Sequence, residues 1–338
     1  MRLRTPLFTT FALATVLATA ACGESGSSGT GGSDASGGEA SGDACAPVAG
    51  DQLVVLDDDQ GLQNADNVTP ALNAAFATAN PAGLEALNAV SAVLTTDDLI
   101  ELNGAVDVER EDATAVAEQY VSDNDLGSAA TGGSGAVVVG AADFSESQIL
   151  ANVYADALTG AGFQATVQTV GNREAYLTAL RNGEIQVFPE YLATATEFIN
   201  KLPEVNGPDA DSIASPDVDA TAEALAPIAE QVGLTFGDPS AAQDQNAFAV
   251  TTEFADNLGV STLSELADAC GDGSLVLGGP TECPERPACQ LGLEDTYGLS
   301  FSSFDEYDAG GPLTKQAILN GDVSIGLVFS SDGSLATS

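Results

Sequence analysis

Two nine-residue stretches constrain this chain more than any other feature. Residues 179–187 read ALRNGEIQV and residues 317–325 read AILNGDVSI. Each closes a helix, turns at Asn-Gly followed by an acid, and enters an apolar strand. Each strand then stops at a short polar turn, PEYLAT at 189–194 and SSDGS at 330–334. A helix–turn–strand unit that recurs in this way predicts two related α/β lobes.

The flanking sequence extends both copies. In the first, Ala136–Val139 reads as a strand, Ser145–Leu158 as a helix, Phe163–Val170 as a strand, Arg173–Leu180 as a helix, Ile185–Phe188 as a strand and Tyr191–Asn200 as a helix. Ser145 and Gln148 have capping-box spacing, and Gly160 is placed to end that helix. The second set runs strand Ala247–Thr251, helix near Leu263–Ala269, strand Ser274–Leu277, helix near Leu313–Leu319 and strand Val323–Phe329. This alternation implies parallel sheets covered by helices.

Ligands of open parallel sheets sit at the carboxyl ends of the strands, where helix N-termini present free N–H groups. Those turns are GAADFSES (140–147), VGNREAY (170–176) and FPEYLAT (188–194) in the first lobe. In the second they are LGGPTECPERPACQ (277–290), DAGGPL (308–313) and FSSDG (329–333). If the lobes face each other, all six turns line one cleft.

The first residues of the chain predict export. Residues 1–21 carry two arginines, a short apolar run and small residues, as a secretory signal does. Cys22 follows Thr19-Ala20-Ala21, an approach resembling a bacterial lipobox, so Cys22 is the expected lipidation site. Residues 22–44 are rich in Gly, Ser and Asp and predict a flexible tether with a reach of roughly 25 Å. Arg2 and Arg4 lie in the signal, so six of the eight bases face all 50 acids in the exported chain. A surface so acidic repels phosphate and excludes a nucleic-acid partner. It also suits high salt, where screening shortens self-repulsion.

Four cysteines remain after Cys22, an even number that suggests two disulfides with three possible pairings. Cys283 and Cys289 flank PERPA, a short loop that can close on itself, which leaves Cys45 with Cys270. With no histidine and no C-x-x-C, neither a metal site nor a cofactor is expected.

The turns resemble those of the substrate-binding proteins of ABC importers for quaternary amines, the glycine betaine, choline and carnitine type. The segments that carry the likeness are GAADFSESQIL, ALRNGEIQVFPEYLATA, QNAFAVTTEFADNLGVSTLSELA, LVLGGPTECPERPACQLGLEDTYGL and AILNGDVSIGLVFSSDG. In that family the next segment resembles DQLVVLDDDQGLQNADNVTPALNAAF, followed by a helical tail resembling LTTDDLIELNGAVDVEREDATAVAEQYV. Here both precede everything else, at 51–121. The resemblance therefore implies a circularly permuted, two-lobed periplasmic-binding-protein fold of type II. Its expected lobes are 61–244 and 45–60 plus 245–338. Residues 127–135, GSAATGGSG, would be the linker joining the family's original ends, able to span up to roughly 30 Å when extended.

The family traps its ligand between lobes that close on a hinge, with a trimethylammonium group held against aromatic faces. By resemblance, Tyr191 supplies an aromatic face, Thr194 a polar contact, and Arg286 a bidentate grip on a carboxylate. The candidate set extends to Phe144, Arg173, Asp244, Phe329 and Asp332. The chain departs from the family at three places. Ala141-Ala142 replace a basic residue, Gln245-Asn246 stand where an aromatic is expected, and DAGGPL lacks a tyrosine. An incomplete cage leaves amino acids, ectoine-like solutes and plain carboxylates as alternative ligands. The implied partners are a small solute, separate permease and ATPase subunits, and the membrane through the lipid anchor, with the protein monomeric on the outer face of the cell membrane. An enzyme is the rival class. Without histidine a Ser-His-Asp device is excluded, and Glu190 with Asp332 is the acid–base pair a carboxylate enzyme would use. The expectation is a binding protein and not an enzyme.

Overall fold

The computed structural model describes residues 45–171, 173–271 and 273–335. The signal, the tether and Cys22 lie outside the described residues. Strands Leu53–Leu56 (β1) and Val68–Asn73 (β2) come first, followed by helices Ala74–Ala79 (α1), Pro81–Ser91 (α2), Thr96–Asn103 (α3) and Ala113–Asp123 (α4). Then come Ala136–Ala141 (β3), Ser145–Ala161 (α5), Gln164–Thr169 (β4), Arg173–Asn182 (α6), Val187–Tyr191 (β5), Leu192–Asn200 (α7), Val218–Gln231 (α8) and Leu234–Phe236 (β6). The remainder is Asn246–Thr251 (β7), Thr252–Leu258 (α9), Leu263–Cys270 (α10), Leu275–Gly279 (β8), Gln290–Tyr297 (α11), Phe301–Glu306 (β9), Pro312–Asn320 (α12) and Ile325–Phe329 (β10).

The strands form two five-stranded sheets, β4-β3-β5-β2-β6 and β9-β8-β10-β7-β1. Read in these directions the sheets have one plan. Three parallel strands are followed by one that runs against them and a last that is antiparallel to it. The repeated sequences occupy matching places: α6 leads into β5 and α12 into β10. Gly183 and Gly321 turn both connections in the left-handed region, at φ 75° and 72°, which glycine adopts without steric cost.

The expectation of parallel sheets is corrected by β2 and β7. Each reverses direction because it is the strand by which the chain enters a sheet from the other lobe. β2 follows the passage 57–67 from β1, and β7 follows 237–245 from β6. In β2, VTPALN lacks clean alternation and holds a proline, so it did not read as a strand. The capping box at Ser145 is also corrected. Phe144 is the N-cap residue without a side-chain cap bond, the Ser145 hydroxyl donates to Asp107 (2.6 Å), and the helix runs one residue past Gly160 to Ala161. Capping boxes occur instead at Thr95/Asp98 and Thr262/Glu265.

Alternation along the strands divides each core into two faces. Val137, Val139, Val187 and Leu72 pack under α2, α4 and α5, while Ala71 and Phe188 pack under α6, α7 and α8. In the other sheet Phe248, Val250, Leu275 and Leu277 face α9, α10 and α11. Ala247, Ala249 and Val328 face α12. Helix α3 serves both lobes. Leu99 and Leu102 join the first core, and Ile100 joins the cluster beside α12. Burying one such side chain contributes about 2 kcal/mol. Residues 127–135 do not run as an extended spacer. Ala130 is buried in the first core, and the Gly133 N–H donates to the Ala161 carbonyl (2.9 Å).

Both disulfides, Cys45–Cys270 and Cys283–Cys289, are present. The first ties the segment before β1 to the end of α10. The Ser324 hydroxyl donates to the Cys45 carbonyl (3.1 Å), and the Gly50 N–H to the Leu319 carbonyl (3.0 Å). Among the described residues no helix is long and apolar enough to cross a membrane.

Candidate functional site

The ends of β5 and β10 meet at a cleft beside the two chain passages that join the sheets. One cavity, of about 480 Å³, is lined by Asp66, Tyr191, Thr194, Asp244 and Phe329 among others. A second, of about 710 Å³, is lined by Asn103, Phe144, Glu146, Asp244, Phe329 and Asp332 among others. Asp244 and Phe329 belong to both, so the cavities are two arms of one cleft.

A buried polar network forms its floor. The Tyr191 hydroxyl donates to Glu146 Oε1 (2.5 Å), and Asn103 Nδ2 donates to Glu146 Oε2 (2.6 Å). Asn103 Nδ2 also reaches the Ser331 carbonyl (2.8 Å), which links α3 to the turn after β10. Burial pushes Glu146 above the usual carboxylate range, against the hydrogen bonds from Tyr191 and Asn103. Asp244 is pushed up to about 7, first by desolvation and then by the Glu146 charge. One of its oxygens, Oδ1, is buried with no hydrogen-bond partner among the described residues. Asp66 is also raised by burial, although it accepts both the N–H (2.9 Å) and the hydroxyl of Thr194.

The bases pair with carboxylates other than these three, although Lys315 and Arg110 line the larger arm. Arg173 grips Glu190 with Nε (3.2 Å) and Nη2 (3.0 Å), and Glu190 also accepts from the Tyr176 hydroxyl (2.7 Å) and the Tyr191 N–H (3.1 Å). Lys315 pairs with Asp332 at 2.5 Å. Five of the six bases among the described residues sit in ion pairs. The sixth, Arg110, is on the exposed rim of the larger arm. It has a left-handed φ of 66°, two residues after the π-helical turn Gly104–Val108.

The structure brings Phe144, Tyr191, Thr194, Asp244, Phe329 and Asp332 to the cleft. Phe144 and Phe329 are large apolar side chains left exposed, and here they face the cavity. Arg286 is exposed in the Cys283–Cys289 loop, pairs with Glu282 (3.4 Å) and lines neither arm. Arg173 lines neither arm either; it supports the buried Glu190. Glu190 and Asp332, the candidate acid–base pair, are each engaged by a base. Glu146, Asp66, Asn103 and Ser331 were not singled out from sequence. Glu146 stands in the first turn of α5, where an acid ordinarily complements the helix dipole and solvent. Its burial, and the arrival of Asn103 from a distant helix, come from tertiary structure alone.

A cleft between two sheets of one plan, reached by two chain passages and lined by strand-end turns, defines a two-lobed ligand-binding protein. The chain belongs to the family described as "Substrate binding domain of ABC-type glycine betaine transport system", whose model matches residues 47–123 and 135–338. The crystal structure of a glycine betaine/carnitine/choline ABC transporter aligns with 57% of this chain and 68% of its own, at 19% sequence identity and a TM-score of 0.41.

Proposed function

We propose that this chain is the extracytoplasmic solute-binding component of an ABC importer, and that its cleft takes a small quaternary amine. A cation such as choline is preferred over a zwitterion. The observation that carries this reading is the lining. Tyr191, Phe144 and Phe329 supply aromatic rings, while Glu146, Asp244 and Asp66 supply carboxylates with no base paired to them. Aromatic faces and unpaired carboxylates both attract a cation that has shed its water. A ligand carboxylate placed among Glu146, Asp244 and Asp66 would be repelled.

In this reading Thr194 is a polar contact held in place by Asp66, and Arg286 acts outside the cleft. The lobes are 61–244 and 45–60 plus 245–338, arranged in circularly permuted order relative to the family. Two observations support the permutation. Leu335 pairs with Leu53 in an isolated parallel bridge, so the ends that the family order would join lie side by side. The family match also leaves out 124–134, within which most of the linker falls. The chain works as a monomer, anchored through Cys22, and delivers its ligand to separate permease and ATPase subunits.

A thermal-shift panel of choline, carnitine, betaines, ectoine-like solutes, amino acids and plain carboxylates tests the ligand class. Binding to the native state alone stabilises by about 2.7 kcal/mol at a hundredfold excess over Kd, several degrees for a chain of this size. Choline is expected to give the largest shift. A panel in which only carboxylates or amino acids raise the melting temperature overturns the quaternary-amine reading.

A further inference from the structure

Carboxylates stand along both arms of the cleft. Asp66 lines the smaller arm, Asp244 the junction and Glu146 the larger arm. None of the three has a base as partner. Arg173 is held by Glu190, Lys315 by Asp332, and Arg110 stands exposed at the rim. Each arm by itself has the volume of an ordinary small-molecule site, about 300–1,000 Å³. A cation the size of choline occupies one arm and leaves the carboxylate of the other without a counter-charge.

The lining also lacks donors. Asn103 is only 6% exposed, and its Nδ2 donates to Glu146 Oε2 (2.6 Å) and to the Ser331 carbonyl (2.8 Å). Both partners accept, which fixes the amide with Oδ1 turned away from them. That oxygen is buried with no hydrogen-bond partner among the described residues. The same is true of Asp244 Oδ1 at the junction and of Gln245 Oε1 in the smaller arm. A buried acceptor without a donor is costly, and a ligand that brings the donor removes the cost. A quaternary ammonium has no N–H to give, whereas a primary ammonium has three.

We propose that the cleft also takes a linear diammonium ion that spans both arms, one ammonium at Asp66 and Asp244 and the other at Glu146 and Asn103. Phe329, shared by the two arms, is the apolar wall for the hydrocarbon between the charges. Tyr191 lines the smaller arm and donates to Glu146 in the larger one, so its ring stands where the chain would pass. Two charges on one chain meet the entropy cost of association once. They also pair more of the buried carboxylates than a single cation does. The proposal rests on the cation-selective cleft of the proposed function and widens its ligand class.

Calorimetric titration of wild type with the α,ω-diaminoalkanes from diaminopropane to diaminooctane, beside aminopentane and choline, tests this. One diamine should bind per chain, and choline should displace it. Affinity should pass through an optimum in chain length, where the diamine exceeds aminopentane by at least about tenfold. Glu146→Gln and Asp66→Asn should each weaken the best diamine by about tenfold, toward the level of the monoamine. If either variant fails to fold, the wild-type series decides alone. Many weak sites, no optimum and loss of binding at high salt would mean that amines only gather on the acidic surface, which overturns the proposal. Tight choline binding with no diamine better than aminopentane also overturns it and leaves the quaternary-amine reading standing. Choline that fails to bind overturns the proposed ligand, while the chain-length series and the two variants still decide the diammonium ion.

Discussion

The two sheets share one strand order, but they are locked by different chemistry. The first is covered by the helices α2, α4 and α5 on one side and α6 to α8 on the other. It holds a buried Arg173–Glu190 pair next to stacked Tyr176 and Phe188, whose ring centres are 3.6 Å apart. The second contains both disulfides and receives the segment 45–50 against α12. The β5 turn runs on into α7, whereas the β10 turn meets Asn103 of α3 through the Ser331 carbonyl. The same topology can therefore be held by covalent closure where a chain segment must be fastened, and by packing and a buried ion pair where the helical cover is complete.

The largest expected difference between the lobes comes from the Cys45–Cys270 bridge, which closes residues 225 apart in sequence. In the chain-entropy account a loop of that length is worth about 5 kcal/mol. Replacing both cysteines by serine should lower the melting temperature strongly. Hydrogen exchange should quicken first in β1, α10 and β8 and leave β3 to β5 protected. Uniform loss across both sheets would mean that the lobes unfold as one unit.

In the first lobe the matching break is Glu190→Ala. It leaves the Arg173 guanidinium, three-quarters buried by its own side chain, without its carboxylate. Removing one partner of a buried pair costs about 3–5 kcal/mol. Chemical denaturation should report that loss, together with faster exchange in β5 and α6. A loss well under 1 kcal/mol would place Arg173 in solvent.

The paired turn glycines sharpen the comparison most finely. Gly183→Ala and Gly321→Ala both force a side chain into a left-handed turn at a cost of about 1 kcal/mol. A methyl group at 183 meets nothing closer than 3.7 Å, whereas one at 321 falls 2.7 Å from the backbone nitrogen of Ala49. Gly321→Ala should thus be the more destabilising by about 1–3 kcal/mol. Equal melting temperatures would show that the 45–50 segment yields without cost.

Much of this fold was legible because it is local. The Asn-Gly turns, the Val-rich β3 and the apolar face of α5 announce their structure within a few residues. β2 and β6 were not, because VTPALN and LTF draw their strand character from neighbours contributed by distant segments. The site divides in the same way. Tyr191, Thr194 and Phe329 lie at strand-end turns, whose position topology fixes, and Asp244 lies in the passage that leads into β7. Glu146 read as an ordinary first-turn acid, and Asn103 had no local signal, since its role exists only where α3 meets Ser331. Resemblance gives Arg286 a grip on a ligand carboxylate, yet in the short disulfide loop it is exposed beside Glu282.

The proposed function requires that the cleft recognise positive charge. Titrating wild type with choline and with its uncharged isostere, in which carbon replaces the quaternary nitrogen, isolates that charge at constant shape. Cation–π attraction and the unpaired carboxylates together are expected to favour choline by about 2 kcal/mol or more, roughly thirtyfold in Kd. Equal affinity for the two would contradict a charge-selective cleft.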